Sequence, residues 1–508
     1  MSGSIIQLVA RGAQDIFLTE DAQITFFKVV YRRHTNFSME AIKQRFNKDP
    51  NFGEKVSATI SRSGDMAGRT YIVIELPSLN TLDSDINYFR WVDYIGYAII
   101  NNVEIEIGGK LIDKHYGEWL YIWYELTGSR DNGFLKMIGH VSELTDLEQS
   151  KNNYKLYIPL EFWFCRNNGL ALPLVNLQFS EVRINLELNE AKKCYIGSPT
   201  HYIQLEDDLV NFERGEILYQ NLNNGVVAYG EFVTYDISTK RLYYNRLSQT
   251  NTSFTSITST DTNLSNEERL TLIRSNSNEK YKIIGETTNW EAMPKINAGE
   301  KKTSFPTLRN FNIIDCYLLV TYMFLDEEER EKFALSKHEY LIEQVQFSGT
   351  KLLESLGTKV NLNFENPTKE MVWITQFSNS AVIKDYFNFT DKPDKEAGES
   401  LILEETININ GNPRVSERSG VYFDTIQSYQ HHKYSSKTGI NMYSFSLHPT
   451  MHQPSGPINM SSVSNLSISL RLKSSVNPTN SATLRCYAIN YNILRVANGI
   501  AGLVFNKV

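Results

Sequence analysis

Apolar and polar residues alternate with a period of two in several short runs of this chain, the spacing of strands with one buried and one wet face. Val103-Glu104-Ile105-Glu106-Ile107 and Val182-Arg183-Ile184-Asn185-Leu186-Glu187-Leu188 alternate without a break. Other runs are rich in β-branched and aromatic residues and are bounded by turn residues. In the first half the pattern predicts strands at Ile24–Arg32, Ser38–Phe46, Lys55–Ser61, Thr70–Leu76, Asn102–Ile107, Tyr154–Leu160, Val182–Leu188 and Ile314–Phe324. The second half predicts Glu343–Phe347, Val360–Phe364, Met371–Phe377, Thr406–Asn410, Met442–Leu447, Leu466–Leu472 and Arg485–Leu494, with an eighth strand near Ala381–Phe389.

The halves echo each other. Glycine turns follow an alternating strand at Gly108-Gly109 and at Gly411, and Asp315-Cys316-Tyr317 matches Arg485-Cys486-Tyr487 in its Cys-Tyr step. The order of elements suggests two tandem copies of one eight-stranded sandwich. Between them, Asp326-Glu327-Glu328-Glu329-Arg330-Glu331-Lys332-Phe333 is acidic first and basic later, which suits a short helix and its dipole. This helix is the expected domain boundary. Residues 1–23 would form an N-terminal arm, 24–325 the first sandwich and 326–508 the second.

About Ala191 to Leu308, Asn, Ser, Thr and Tyr dominate, most of all over Asn245–Ser277. The stretch is too long for a plain loop and reads as an insertion before the last strand of the first sandwich. With strands lettered B to I in jelly-roll fashion, it is the HI loop. It leaves from the same end as a long FG loop, about Lys110–Asn153, which carries the helix-like run His115–Tyr121. One end is therefore elaborate and the other plain. The Asn245–Ser277 stretch has few apolar residues and is expected to be a mobile polar crown, dispensable for folding.

Composition narrows the class. Tyr and Phe are plentiful, at 28 and 26 of 508 residues, which favours an all-β fold. A net charge of −7 gives no overall basic footprint for nucleic acid, so direct coating of a genome is disfavoured. Cys165, Cys194, Cys316 and Cys486 lie far apart and read as buried free thiols of a reducing compartment. No secretory signal is read at Met1-Ser2-Gly3-Ser4, and Ile313–Leu325 is too short to span a bilayer.

Catalytic chemistry is not predicted, and neither are a cofactor and a metal. GxxxxGK[ST], GxGxxG after a strand, HExxH and GxSxG are all missing from the sequence. His431-His432 is the tightest histidine pair and is expected in a surface loop. Glu104 and Glu106 share a strand face and read as its wet side rather than as a glycosidase pair. Tyr31-Arg32-Arg33-His34 is a small basic patch that reads as a solvated strand end. Sequons occur at Asn36, Asn251, Asn263, Asn388, Asn459 and Asn465, a number expected by chance in such a composition. Over Ser4–Leu18, Ile5, Ile6, Val9, Ala13, Ile16 and Phe17 would share one face of an amphipathic helix.

The N-terminal stretch carries a more specific signal. Ser4-Ile5-Ile6-Gln7-Leu8-Val9-Ala10-Arg11-Gly12-Ala13-Gln14-Asp15-Ile16-Phe17-Leu18-Thr19, leading into Gln23–Phe37, resembles the opening of the major capsid proteins of nucleocytoplasmic large DNA viruses, of the phycodnavirus and mimivirus kind. The resemblance continues at Ser61–Asp65, Glu104–Tyr116, Gly169–Leu174, His338–Gln344, Gln453–Gly456 and Tyr487–Arg495, so it covers both repeats in order. It implies a double jelly roll, a homotrimeric pseudo-hexagonal capsomer and an icosahedral virion shell assembled in the host cytoplasm. Minor capsid proteins and often an inner membrane would lie on the internal side. Two other readings stand beside it. One is a minor capsid or spike protein of such a virus. The other is a carbohydrate-binding jelly roll, for which Trp119, Trp123, Glu118 and Glu125 are the nearest candidates, although at helical spacing these residues more often pack a loop helix.

Overall fold

A computed structural model describes residues 6–7, 9–10, 19–29, 31–80, 87–128, 131–222, 225–256, 281–303, 311–433 and 437–505. Sixteen strands build two antiparallel sandwiches of the same topology. In the first they are β1 (Phe37–Gln44), β2 (Lys55–Thr59), β3 (Met66–Leu76), β4 (Ile100–Ile107), β5 (Lys110–Tyr116), β6 (Tyr154–Pro159), β7 (Val182–Leu188) and β8 (Asp315–Leu325). In the second they are β9 (His338–Leu353), β10 (Gly357–Leu362), β11 (Pro367–Phe377), β12 (Ile402–Ile409), β13 (Asn412–Ser419), β14 (Ile440–Ser444), β15 (Leu466–Leu472) and β16 (Ala482–Ala497). The first pairs its strands as β1-β8-β3-β6 and β2-β7-β4-β5; the second as β9-β16-β11-β14 and β10-β15-β12-β13. Each set is a jelly roll, and the chain is a double jelly roll.

The alternating runs explain the cores. On β7 Val182, Ile184, Leu186 and Leu188 are buried while Arg183 is exposed. The second jelly roll encloses its own cluster around Trp373, Phe423, Ile407, Ile468 and Cys486. Burying such side chains stabilises by about 1.5–3 kcal/mol each.

Two strand expectations fail, for opposite reasons. Ile24–Arg32 is not a strand: residues 21–29 and 31–36 form no ladder and are exposed, so the first sandwich begins at Phe37. Its apolar residues come in adjacent pairs, Phe26-Phe27 and Val29-Val30, and such pairs give no single buried face. Conversely β5 and β13 are strands that the pattern does not reveal. The pattern puts Lys110–Tyr116 in the FG loop and the eighth strand of the second half near Ala381–Phe389, where a short helix, Ser380–Ile383, lies instead. Both are return arms of two-residue hairpins, Gly108-Gly109 and Asn410-Gly411, whose residues all have positive φ. Both lie at sheet edges, where polar residues and Pro413 protect a free edge and erase the alternation. The FG loop therefore starts later, with helix α1 (Gly117–Thr127).

The charged run between the sandwiches is helix α2 (Glu327–Leu335), with three glutamates in its first turn. Arg330 pairs with Asp65 at 2.9 Å, and Asn176 donates to the Phe333 and Ser336 carbonyls at 3.0 and 2.8 Å.

The connection from β7 to β8 carries a seven-stranded sheet of its own, whose strands fall between His201 and Lys302. Its core holds Ile203, Leu218, Leu242, Tyr244, Phe254 and Ile283. This corrects the expectation for the described part of Asn245–Ser277, residues 245–256. Asn245, Ser248 and Gln249 are buried and Phe254 belongs to the core, while residues 257–280 lie outside the described ones. The polar side chains are spent on docking: Asn379 Nδ2 donates to the Ser248 carbonyl at 2.8 Å, and Asn251 Nδ2 to the Thr479 carbonyl at 3.0 Å. The inserted sheet thus rests on loops of the second jelly roll. Of the N-terminal arm, Ile6, Gln7 and Val9 are helical, and the Ala10 N–H donates to the Ile6 carbonyl at 2.8 Å. Most of the expected helix Ser4–Leu18 lies outside the described residues.

Candidate functional site: the contact between the two sandwiches

A densely packed surface lies between the jelly rolls. Residues of β11, β14 and β16 that face away from the second core, namely Val372, Ile374, Ile440, Met442, Tyr487 and Ile489, join the first jelly roll's hydrophobic cluster. What covers them is β5, α1 and the loop before β4. Trp119 lies against Tyr487 with ring centroids 5.2 Å apart, Tyr116 against Phe347 at 5.1 Å, and Tyr121 against Phe387 at 4.4 Å. α1 starts with glycine for a steric reason. A Cβ on Gly117 would stand within 2.2 Å of the Tyr97 carbonyl and 2.3 Å of the Ile100 carbonyl.

Polar groups fix this apolar contact in register. Tyr487 Oη donates to Glu118 Oε2 at 2.7 Å, and Arg485 pairs with Glu118 Oε1 at 2.7 Å. The Val345 N–H donates to Asp113 Oδ1 at 3.0 Å. Deeper in, Glu343 joins Arg166 at 2.9 Å and Lys369 at 2.6 Å. Burial lowers the Lys369 pKa despite the attraction of Glu343. A second network links the sandwiches and the inserted sheet: Asp93 pairs with Lys395 at 3.3 Å, and Arg90 reaches Glu231 at 3.6 Å. Burial pushes the Asp93 carboxyl up, but Lys395 and Arg90 pull it further down, to about 2. These charges are matched across the contact, so separating the sandwiches would leave buried charges alone.

The residues singled out in the sequence take structural positions. Trp119 and Trp123 are buried in the contact, as is Glu125. Glu104 and Glu106 do share one face of β4. There Lys114 at 2.8 Å and Lys55 at 3.4 Å flank Glu104 and lower its pKa against the upward pull of desolvation. These ion pairs, from β5 beside it and from β2 beyond β7, account for Glu104, which is buried rather than on a wet face. His432 departs from expectation: it is buried, with Nε2 2.8 Å from Glu370 Oε2, whereas His431 Nδ1 lies 3.2 Å from the Leu447 carbonyl. His431 ends helix α3 (Gln427–His431) and His432 caps it, so the two side chains part company.

All four cysteines are buried free thiols, and burial raises Cys165, Cys194 and Cys316 to about 12. Tyr31, Arg32, Arg33 and His34 are exposed on the irregular arm. Asn388 is buried, Asn36, Asn251, Asn459 and Asn465 are exposed, and Asn263 lies outside the described residues. Among the described residues no cluster of His, Cys, Asp and Glu could hold a metal, and no helix is long and apolar enough to cross a membrane. A cleft of about 640 Å³ beside the contact is lined by Tyr97, Trp123, Phe134, Arg166 and Glu343, and its Arg166 and Glu343 are already paired with each other.

The chain matches known proteins along its whole length. Residues 25–218 match the family "Major capsid protein N-terminus", and residues 329–502 match "Large eukaryotic DNA virus major capsid protein". The "Probable capsid protein 4" of Acanthamoeba polyphaga mimivirus is 42% identical, with all of both chains covered. The major capsid protein of Phaeocystis pouchetii virus is 31% identical over the same full coverage. Among solved structures, the PBCV-1 virus capsid protein superposes with a TM-score of 0.62 at 24% identity, covering 95% of this chain and 100% of that one. That likeness shows the fold.

Proposed function

The chain belongs to the major capsid proteins of large eukaryotic DNA viruses, and from that membership we propose that three copies form one pseudo-hexagonal capsomer that tiles the icosahedral shell of the virion. One observation carries the reading. Two sandwiches of identical strand order stand side by side in one chain, joined by a dense contact. Three such chains offer six similar walls with threefold chemistry, so one gene product can pave a flat facet. The role is structural rather than enzymatic, and no cofactor takes part.

The division into arm, first jelly roll with its inserted sheet, and second jelly roll belongs to this proposal, with α2 as the hinge point between repeats. The inserted sheet and the FG loops share one end of the sandwiches, and that end faces outward. The exposed arm, with Phe26, Phe27, Val29 and Tyr31 uncovered, runs along the inner side. There it meets neighbouring capsomers, minor capsid proteins and an inner membrane, without sequence-specific contact with nucleic acid. Assembly takes place in the host cytoplasm.

Light scattering on the native protein tests the stoichiometry: the expected mass is about three times 58.4 kDa, and a stable monomer at micromolar concentration would overturn the reading. Deleting residues 2–20 should leave trimers intact while impairing shell assembly. Loss of trimers would refute the assignment of the arm.

A further inference from the structure

A cavity of about 140 Å³ lies where the inserted sheet meets both jelly rolls. Each of the three bodies supplies a wall. The first jelly roll contributes Arg90 and Ile196, from the paired strands Tyr88–Trp91 and Tyr195–Ser198. The inserted sheet contributes Glu231, Asn245, Arg246 and Lys302. The second jelly roll closes the space with Asn379, Val382 and Lys384, in and around its short helix Ser380–Ile383.

The charges on these walls do not cancel. Arg90 reaches Glu231 at 3.6 Å and Arg246 reaches Glu300 at 3.6 Å, so each arginine has its own carboxylate. Lys302 and Lys384 make no ion pair among the described residues. Lys302 is exposed, whereas Lys384 is half-buried and its Nζ donates to the Tyr195 carbonyl at 2.6 Å. Burial lowers the Lys384 pKa, and no carboxylate opposes it. Burial also lowers the pKa of His201, which lines the cavity too, so its ring adds no charge at neutral pH. Two positive charges are therefore in surplus. Hydrogen-bonding capacity is unspent as well. The Nε–H groups of Arg90 and Arg246, and Asn245 Oδ1, are buried without a protein partner. Asn245 is 2% exposed and spends only its Nδ2, on Glu231 at 2.8 Å. Buried groups of this kind are costly to leave unpaired.

We propose that this cavity binds one hydrogen phosphate ion, which fastens the inserted sheet to the two jelly rolls. The inference is independent of the capsomer reading. The charge of the dianion balances the two surplus lysines. Its unprotonated oxygens accept from those lysines and from the arginine Nε–H groups, the donors that suit a phosphate oxyanion. Its single P–O–H group donates to Asn245 Oδ1 or to Glu231. Sulfate, wholly deprotonated near neutral pH, has no proton to offer these acceptors and would leave them facing its own oxygens. Acceptors set among cations thus select phosphate over sulfate. Size narrows the ligand further: about 140 Å³ holds a tetrahedral oxyanion but falls short of the roughly 300 Å³ at which sites for larger organic ligands begin.

Isothermal titration calorimetry on the full chain tests this, at mildly alkaline pH and fixed ionic strength, with inorganic phosphate, sulfate and glycerol phosphate titrated in turn. The expected result is one phosphate bound per chain, at least tenfold more tightly than sulfate or glycerol phosphate. Lys384→Met keeps the stem of the side chain and removes its charge, so it should weaken phosphate binding at least tenfold, the worth of one charge-assisted bond. Lys302→Met should weaken it less, because that lysine is exposed, and Lys295→Met, an exposed lysine of the insertion away from the cavity, should leave it unchanged. Circular dichroism reports folding. If Lys384→Met fails to fold, Lys302→Met and the selectivity of the wild type decide the matter. No saturable binding of phosphate, sulfate bound as tightly as phosphate, or undiminished phosphate binding in a folded Lys384→Met would each overturn the proposal.

Discussion

Trp119→Ala probes how much the contact between the jelly rolls contributes. Trp119 is 1% exposed, and its ring lies 5.2 Å from Tyr487 and 5.8 Å from Trp123, centroid to centroid. A large aromatic side chain buries roughly 150–250 Å², worth about 4–6 kcal/mol at about 25 cal/mol per Å². Trp-to-Ala replacements in cores cost about 3–5 kcal/mol, and the lower figure applies where neighbours relax into the space. Here Glu118, itself paired with Arg485, holds Tyr487 by its hydroxyl and restricts that relaxation, so the expected loss is about 4 kcal/mol. Urea unfolding followed by tryptophan fluorescence and far-UV circular dichroism reads it, with both probes needed because a two-sandwich chain need not unfold in one step. The midpoint should fall in both signals. In a cycle with Tyr487→Ala the two losses should not add, because the rings touch. A loss under about 1 kcal/mol, or strict additivity, would refute the claim that α1 packs as part of a shared core.

Glu343→Gln should destabilise by about 3–5 kcal/mol, because it leaves Lys369, 1% exposed, without its carboxylate; thermal unfolding against wild type reads this. Asp93→Asn tests the acid limb. The folded carboxyl sits at about 2, below its unfolded value, so its stabilisation is complete above about pH 5 and is lost as pH falls through 4 towards 2. The stability gap between wild type and Asp93→Asn should therefore shrink over that window, and a constant gap would contradict the assignment. The four thiols should resist a thiol reagent in native protein and all react after unfolding, since each is buried and Cys165, Cys194 and Cys316 ionise only near 12.

What the sequence discloses follows from which strands have one wet and one dry face. Val103–Ile107 and Val182–Leu188 lie inside their sheet and announce themselves. Lys110–Tyr116 and Asn412–Ser419 lie at sheet edges, and their polar residues answer to solvent and to neighbouring surfaces rather than to one core. Their signal is the hairpin turn itself, Gly108-Gly109 and Asn410-Gly411, which demands a return strand. Ile24–Arg32 errs the other way, because strand propensity without a ladder partner makes no strand. The inserted sheet was hidden because Ser248 and Asn251 bond to loops 131 and 228 residues away, a use of polar side chains that composition cannot distinguish from solvation. The contact itself was partly legible: the expectation that Trp119 and Trp123 pack a loop helix matches their burial, but their partner Tyr487 was visible only as an echo of Tyr317.

Single-particle imaging of the purified protein tests the central claim most directly, because it shows the number and arrangement of sandwiches together. The account predicts a ring of six lobes with threefold symmetry, with larger mass at one end on alternate lobes where the inserted sheets sit. Particles with two lobes, or closed rings with any other symmetry, would contradict it.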